Sequence, residues 1–263
     1  NDTPHWEDLP EDLQNLGNVQ CENCHGAGSR HPANLTAEDA GIAGVNLDTE
    51  QCAQCHDSAS GFQQGFYQWE TSAHVISAEA AGGHAADRSS CTECHTAEGF
   101  VSGQVNGGEA AVVEEPNGIT CSACHDPHWT PNTAQLRLVG DTALPNGTMS
   151  FNAGVGGLCS RCHNSRTEDG DATAVSYFRG AHHGPQADML LGEAGASFGL
   201  DFEPDSPHAV VVEDTCVHCH MAEPTEAGYG IVTPPLVGSH TFAMRDTMGT
   251  PGDTSDDVTN VEN

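Results

Sequence analysis

Large apolar residues are thinly spread along this chain, and few stretches carry the spacing of a buried helix face or a half-buried strand. The longest apolar candidate, Ala110–Val113, is far short of the ~20 residues needed to span a bilayer. Short helices are predicted over 36–43, 61–81 and 185–194, the last opening at Gly184-Pro185 with proline near its first turn. Gln135–Val139 and Thr148–Phe151 are predicted to pair as a small hairpin across Pro145-Asn-Gly147. Most of the remainder is rich in Gly, Pro, Asp and Thr and reads as loop.

Composition turns this thin pattern into a problem. Leu, Ile, Val and Phe make up 43 of the 263 residues, and 38 acidic side chains face seven basic ones, a formal net charge of −31. A chain of this kind cannot bury enough surface to offset its conformational entropy. Read without its cysteines, the sequence is that of a disordered protein. All seven basic residues are arginines: Arg30, Arg88, Arg137, Arg161, Arg166, Arg179 and Arg245. No basic stripe exists for nucleic acid or an anionic membrane surface, so neither is expected as a partner. An acidic excess without lysine suits a surface kept hydrated in concentrated salt, where a Debye length of ~3 Å at 1 M screens self-repulsion. Asn1 is read as a mature N-terminus left by processing.

The cysteines change the picture. All twelve fall in one repeated motif: Cys21-Glu-Asn-Cys24-His25, Cys52-Ala-Gln-Cys55-His56, Cys91-Thr-Glu-Cys94-His95, Cys121-Ser-Ala-Cys124-His125, Cys159-Ser-Arg-Cys162-His163 and Cys216-Val-His-Cys219-His220. This is the attachment motif of c-type haem. Two thiols three residues apart form thioethers to the two vinyl groups on one porphyrin edge, and the next histidine supplies the proximal iron ligand. A zinc ribbon with an all-cysteine ligand set has no need of a histidine after every second cysteine. Disulfide frameworks do not require the rigid pairing, and thioredoxin-like motifs do not occur six to a small chain. Six covalently bound haem c groups are therefore expected. Haem c is attached outside the prokaryotic cytoplasm, so export is expected too. Two sequons, at Asn34 and Asn146, are compatible with glycosylation at a cell surface.

What a haem does depends on its sixth ligand, since two imidazoles close the iron to substrates and suit it to electron transfer. Sixteen histidines less six proximal ones leave ten, enough for six bis-histidine sites. The leading distal candidates are His31, His74, His128, His182, His208 and His240. His74 is placed on the 61–81 helix, and His128 is placed to reach a neighbouring haem rather than its own. His183, His84 and His5 rank lower, and His218, between two motif cysteines, reads as a bystander. For each candidate the alternative is an exposed or hydrogen-bonded histidine. The five methionines are not needed by count, and Met221, directly after a proximal histidine, cannot reach the far face.

The motifs begin at 21, 52, 91, 121, 159 and 216, with no repeat beyond themselves and no linker that marks a boundary. One domain over 1–263, wrapped around a chain of six haems, is expected. Residues 1–20 read as an N-terminal arm, and 249–263 as an acidic tail of disordered composition that a neighbouring subunit could order.

Several phrases carry a resemblance: Gly118-Ile-Thr-Cys-Ser-Ala-Cys-His-Asp-Pro-His128, Cys94-His-Thr-Ala-Glu-Gly-Phe100, His182-His-Gly-Pro-Gln-Ala-Asp-Met-Leu190, Cys216-Val-His-Cys-His-Met221 and Gly238-Ser-His-Thr-Phe242. Over roughly residues 20–245 the chain resembles the multihaem c-type cytochromes, and among them the extracellular filament cytochromes of the OmcS/OmcE type. The resemblance implies a loop-dominated fold with parallel and T-shaped haem pairs. It also implies end-to-end polymerisation, a histidine of one subunit completing a haem of the next. On that basis His182 or His183, and His240, are implied as ligands, with His5 as the intersubunit one. The absence of lysine and the strong negative charge depart from the family.

Three functions compete. The first is a subunit of an extracellular, conductive cytochrome filament, passing electrons to redox partner proteins or extracellular acceptors without substrate chemistry. The second is a soluble periplasmic or surface electron carrier. The third is a multihaem reductase, which needs one haem with an open distal face, whereas all six motifs here end in histidine.

Overall fold

The computed structural model describes residues 19–20, 23–24, 47–57, 65–128, 132, 134–144, 151–166, 184–192, 206–222, 237–246 and 258–259. Over these, most helices fall where the motifs are. Helix α1 (Glu50–Ala53) holds the first cysteine of the second motif, and α2 (Gly65–Glu70) follows it. The third motif lies within α3 (Ser89–His95), which turns at Thr96 into α4 (Ala97–Phe100). Helix α5 (Cys121–Cys124) is the fourth motif, α6 (Gly157–Ser160) opens the fifth, and α9 (Cys216–His220) is the sixth. Helices α7 (Gln186–Leu191) and α8 (Pro207–Val211) lie between the last two.

The coincidence has a simple cause. Residues three apart on a helical turn share a face, so the turn points both thiols of a motif the same way. The histidine closes that turn by donating its amide to the first cysteine's carbonyl, at 2.9 Å for His56 onto Cys52, 2.9 Å for His125 onto Cys121 and 3.0 Å for His163 onto Cys159.

Strand is minimal among the described residues. Strands β1 (Asp141–Thr142) and β2 (Phe151–Asn152) pair antiparallel, Asp141 facing Asn152. Strand β3 (Arg245–Asp246) pairs antiparallel with β4 (Val258–Thr259), Arg245 facing Thr259. Two residues of the acidic tail thus find a partner within their own chain.

Local expectations from the sequence need correction. The helix expected over 61–81 ends at Glu70 and gives way to a turn and then a 3-10 turn at Ser77–Gly83. His74 therefore sits in a turn and not on a helix. The reason is a competitor for its carbonyl: the Ile119 amide at 3.0 Å and the Ser77 hydroxyl at 2.8 Å both donate to it. The expected turn residues Pro145-Asn-Gly147 lie outside the described residues; the paired strands on either side, β1 and β2, are displaced from the expected ones, because Gln135–Leu138 wraps the fourth motif instead. Asp126 N–H donates to the Gln135 carbonyl at 2.7 Å and Arg137 N–H to the Cys124 carbonyl at 2.9 Å. The third helix is present but short, Gln186–Leu191, ended by Gly192 in the left-handed conformation at φ 83°. The helix expected over 36–43 lies outside the described residues.

The apolar core is small and runs up to the motifs. Ala97, Phe100, Ile119 and Ala123 form one cluster, joined by Leu47, Val101, Val105, Leu138, Leu158 and the motif cysteines Cys124 and Cys162. Leu144, Ala187 and Leu191 form another, against Ala209. Thr92, Thr96, Ser160, Asn164 and Asp188 are buried beside them, so hydroxyl and carboxyl groups do packing that aliphatic side chains do elsewhere. Two glycines set the approach of chain to chain. A Cβ on Gly99 would collide with the Thr92 carbonyl group, and one on Gly118 would collide with the carbonyls of His74 and Val75. The second approach places the Gly118–Ile119 segment against His74.

Candidate metal centres

Each described proximal histidine leaves its motif helix on a defined path, and for four of them a partner holds the ring. His95 Nδ1 donates to the Ser77 carbonyl at 3.1 Å, His125 Nδ1 to the Ala134 carbonyl at 2.6 Å and His220 Nδ1 to the Phe242 carbonyl at 3.0 Å. A carbonyl only accepts, so the proton sits on Nδ1 and the Nε2 lone pair is left for a metal. This arrangement also raises the basicity of the ligating nitrogen. His163 shares a hydrogen bond with the Gln186 side chain.

Two further histidines meet this set. The ring of His74 lies 6.2 Å from that of His163, centroid to centroid, and the ring of His240 lies 6.1 Å from that of His125. Two imidazoles on opposite sides of one ion, each nitrogen about 2.0–2.1 Å from it and each centroid about 1.1 Å behind its nitrogen, have centroids about 6.3 Å apart. Both pairs have the spacing of two axial ligands on one ion. Burial lowers the His74 pKa to about 4, with the nearby His163 adding to the effect. Burial also lowers His163 and His240. A neutral imidazole is the ligating form, and these sites favour it without any metal. The donor set therefore fits c-type haem: paired thiols on one turn, an imidazole beside them, and in two places a second imidazole at a spacing that one shared ion allows.

The other distal candidates are placed differently. His128 is exposed beside the fourth motif, its amide donating to Asp126 Oδ1 at 3.0 Å and its ring 3.3 Å from the same oxygen. His84 is exposed beside Asp87 at 3.5 Å. His208 is exposed on α8, and His218 lies between the cysteines of the sixth motif. His5, His31, His182 and His183 lie outside the described residues, as do Cys21 and His25 of the first motif.

The motifs are drawn together across the sequence. The thiols of Cys52 and Cys121, of Cys94 and Cys162, and of Cys159 and Cys216 are close enough to interact, each pair raising one thiol pKa and lowering the other. Cys94 Sγ also lies 3.9 Å from the Arg161 carbonyl and Cys162 Sγ lies 4.0 Å from the Glu93 carbonyl, a reciprocal clasp between the third and fifth motifs. Cys124 is half-buried against the main apolar cluster, and desolvation there pushes its thiol up to about 11. No disulfide joins the described cysteines.

Supporting residues emerge that the sequence reading did not single out. Ser77 Oγ lies 2.8 Å from the His74 carbonyl and 2.9 Å from the His95 carbonyl, bracing two histidines far apart in sequence at once. Arg137 reaches Asp126 at 3.3 Å and donates to the Ser122 carbonyl at 2.7 Å, clamping the fourth motif. Asp188 accepts from the Ser165 amide at 2.7 Å and its hydroxyl at 2.8 Å, fixing the exit of the fifth. Phe242 lies in the Gly-Ser-His-Thr-Phe phrase already noted. For Ser77 and Arg137 no local signal exists, because their partners are set by contacts far along the chain.

Comparison with known proteins agrees with this geometry. Residues 111–168, spanning the fourth and fifth motifs, match a family model described as a doubled CXXCH motif. No curated protein sequence matches the chain. Among solved structures, the fold is similar to the crystal structure of the outer cell wall cytochrome OcwA, with TM-score 0.53 and 21% identity, covering 86% of this chain and 50% of that one. The chain thus spans half the length of that cytochrome. Among the described residues no helix is long and apolar enough to cross a membrane. Motif and fold together support a multihaem c-type cytochrome.

Proposed function

We propose that this chain is a multihaem c-type cytochrome that carries electrons through six closely spaced bis-histidine haems, as the repeating subunit of an extracellular filament. The observation that carries the reading is the spacing of the two imidazole pairs, 6.2 Å for His74 with His163 and 6.1 Å for His125 with His240. When bound, haem supplies a one-electron iron couple. The twelve motif cysteines would hold the porphyrins, and His25, His56, His95, His125, His163 and His220 would ligate from one side. His74 would complete the fifth site and His240 the fourth. His31, His128, His182 and His208 remain the leading choices elsewhere, with His183, His84 and His5 behind them.

The chain's own part is to position ligands and exclude competitors. Main-chain carbonyls fix the tautomers of His95, His125 and His220, and burial favours the neutral form of His74 and His240. The close approach of the third and fifth motifs, with Cys94 Sγ 3.9 Å from the Arg161 carbonyl and Cys162 Sγ 4.0 Å from the Glu93 carbonyl, would keep neighbouring sites close, which electron hopping requires. With a second imidazole at each iron, no face would be open to substrate, and the protein would transfer electrons without an enzymatic step.

Support for the filament comes from the phrases shared with the OmcS/OmcE type, whose subunits join end to end. OcwA is by its name a cytochrome of the outer cell wall, which fits a location outside the cytoplasm. The net charge of −31 fits a salt-rich surrounding that screens repulsion between subunits.

Electron microscopy of the purified, haem-loaded protein tests the assembly: filaments are expected, and discrete monomers alone at high concentration would leave the surface carrier in its place. His74→Ala and His240→Ala test the ligation. Each is expected to convert one low-spin ferric signal to high spin in electron paramagnetic resonance, and an unchanged low-spin set overturns the axial pairs. A high-spin signal in the unmodified protein, integrating to one haem, would turn the reading towards a reductase.

A further inference from the structure

One residue touches three of these centres. The ring of Phe242 lies 4.6 Å from that of His74 at an interplanar angle of 83°, and 6.1 Å from that of His240 at 72°. Both are edge-to-face contacts, the arrangement aromatic rings prefer. The carbonyl of the same residue accepts the His220 Nδ1 hydrogen at 3.0 Å. His74 faces His163 of the fifth motif, His240 faces His125 of the fourth, and His220 belongs to the sixth. The fourth, fifth and sixth centres therefore meet at a single side chain and its peptide group.

Ordinary core packing does not account for Phe242. It is half-buried and belongs to neither apolar cluster. Its backbone sits at φ 56° and ψ 8°, a left-handed conformation that bulky residues rarely adopt and that persists only when the surroundings over-determine it. The surroundings here do so. Gly238 N–H donates to the Ala243 carbonyl at 2.7 Å, closing the loop on both sides of the phenylalanine. Inside it the Thr241 hydroxyl lies 2.7 Å from the Gly238 carbonyl, and the Ala243 amide donates to that hydroxyl at 3.2 Å. Val237 and Thr241 are buried at the base. The strained turn aims the ring at two imidazoles and the carbonyl at a third.

We propose that Phe242 is a shared positioning residue: its ring orients the distal imidazoles of His74 and His240, and its carbonyl sets the tautomer and basicity of His220. The proposal rests on the axial pairs assigned to the fourth and fifth centres. Ring orientation about the metal–nitrogen axis and hydrogen bonding at Nδ1 both tune a metal centre, so one residue biases three adjacent centres together.

The haem-loaded, full-length protein with Phe242→Gly separates the two roles, since glycine tolerates the left-handed turn and keeps the carbonyl while removing the ring. In electron paramagnetic resonance of the oxidised protein, two low-spin components are expected to shift their largest g-value beyond the linewidth. The remaining components, including that of His220, are expected to stay superimposable on the unmodified protein. Phe242→Tyr is expected to restore both shifted components. Phe242→Trp, which keeps an aromatic ring of altered size, is expected to displace the same two and carries the test if the glycine variant fails to fold. Spectra unchanged in both variants at equal haem content, or displaced uniformly across all components, overturn the proposal. His74→Ala and His240→Ala run alongside: if those leave the low-spin set intact, it is the axial assignment that has failed, not the role of Phe242.

Discussion

The second and fifth motifs have the same five-residue plan and opposite surroundings. Around the second, α1 buries none of its residues, and both Cys55 and His56 are exposed. Among the described residues its contacts include the Cys52 side chain against Cys121 and the His56 carbonyl, which takes the Phe66 amide at 3.1 Å. Around the fifth, Gly157 and Ser160 are buried, Asn164 is buried next to the histidine, and Cys162 joins the main apolar cluster. The His163 carbonyl takes the Ala187 amide at 2.9 Å, and thiol contacts reach the third motif on one side and the sixth on the other. The difference teaches that the motif specifies attachment alone. How firmly a centre is held, and how dry its surroundings are, depends on residues outside it. Burial and hydrogen bonding are among the protein's means of setting a haem's potential, so identical motifs here serve unequal centres.

Withholding haem should erase the contrast altogether. The described core is mostly alanines and threonines with a few larger aliphatic side chains and Phe100, so porphyrin surface and axial bonds must supply what the side chains do not. Chain produced without haem attachment is expected to lose the whole of its folding stability, on the order of 5–15 kcal/mol for a native domain. Circular dichroism and limited proteolysis check this; an apo-chain that melts cooperatively would refute it.

Gly99→Ala should strike the central region alone. Alanine normally stabilises a helix position over glycine by about 1 kcal/mol, but here the new methyl would run into the Thr92 carbonyl group. Backbone on both sides cannot yield cheaply, so overpacking wins and the loss is expected at about 3 kcal/mol. Thermal melting of the loaded protein measures it, and a raised melting temperature would show that α3 and α4 are not packed as described.

Asp188→Ala is expected to cost about 2 kcal/mol, because it leaves the Ser165 amide and hydroxyl without their acceptor beside the fifth motif. Hydrogen exchange should show the loss confined to the segment leaving His163; equal loosening around His56 would argue against a local role. At the other extreme, Glu50→Gln on the exposed face of α1 should change stability by no more than about 0.5 kcal/mol. A larger effect in a denaturant titration would mean that the second motif is as tightly supported as the fifth.

How much of this could be read from the sequence follows the same division. The motifs and the sparse secondary structure are legible in the sequence, because each depends on near neighbours, whereas the helical turns that carry the motifs read there as loop. Pro185 likewise marks the start of the short helix, while Gly192 ends it before the expected bound at 194. The fates of His74 and of Gln135–Leu138 were not legible, since Ile119 reaches back to one and Cys124 captures the other. Among distal candidates, His74 and His240 face proximal rings while His128, His84 and His208 lie exposed, and no local feature separates the two groups. Ser77 shows the limit most clearly: an ordinary serine in a small-residue stretch, made important by where two distant histidines fall.

One consequence lies in the carbonyls that receive Nδ1 from His95, His125 and His220. Their owners are Ser77, Ala134 and Phe242, three side chains with nothing in common, because the accepting atom is one that every residue possesses. Point mutation at those sites cannot delete it. A lineage of such proteins is free to rewrite most of its surface for a new salinity or a new docking partner while the iron-facing nitrogens keep their proton state, so long as the course of the backbone is inherited.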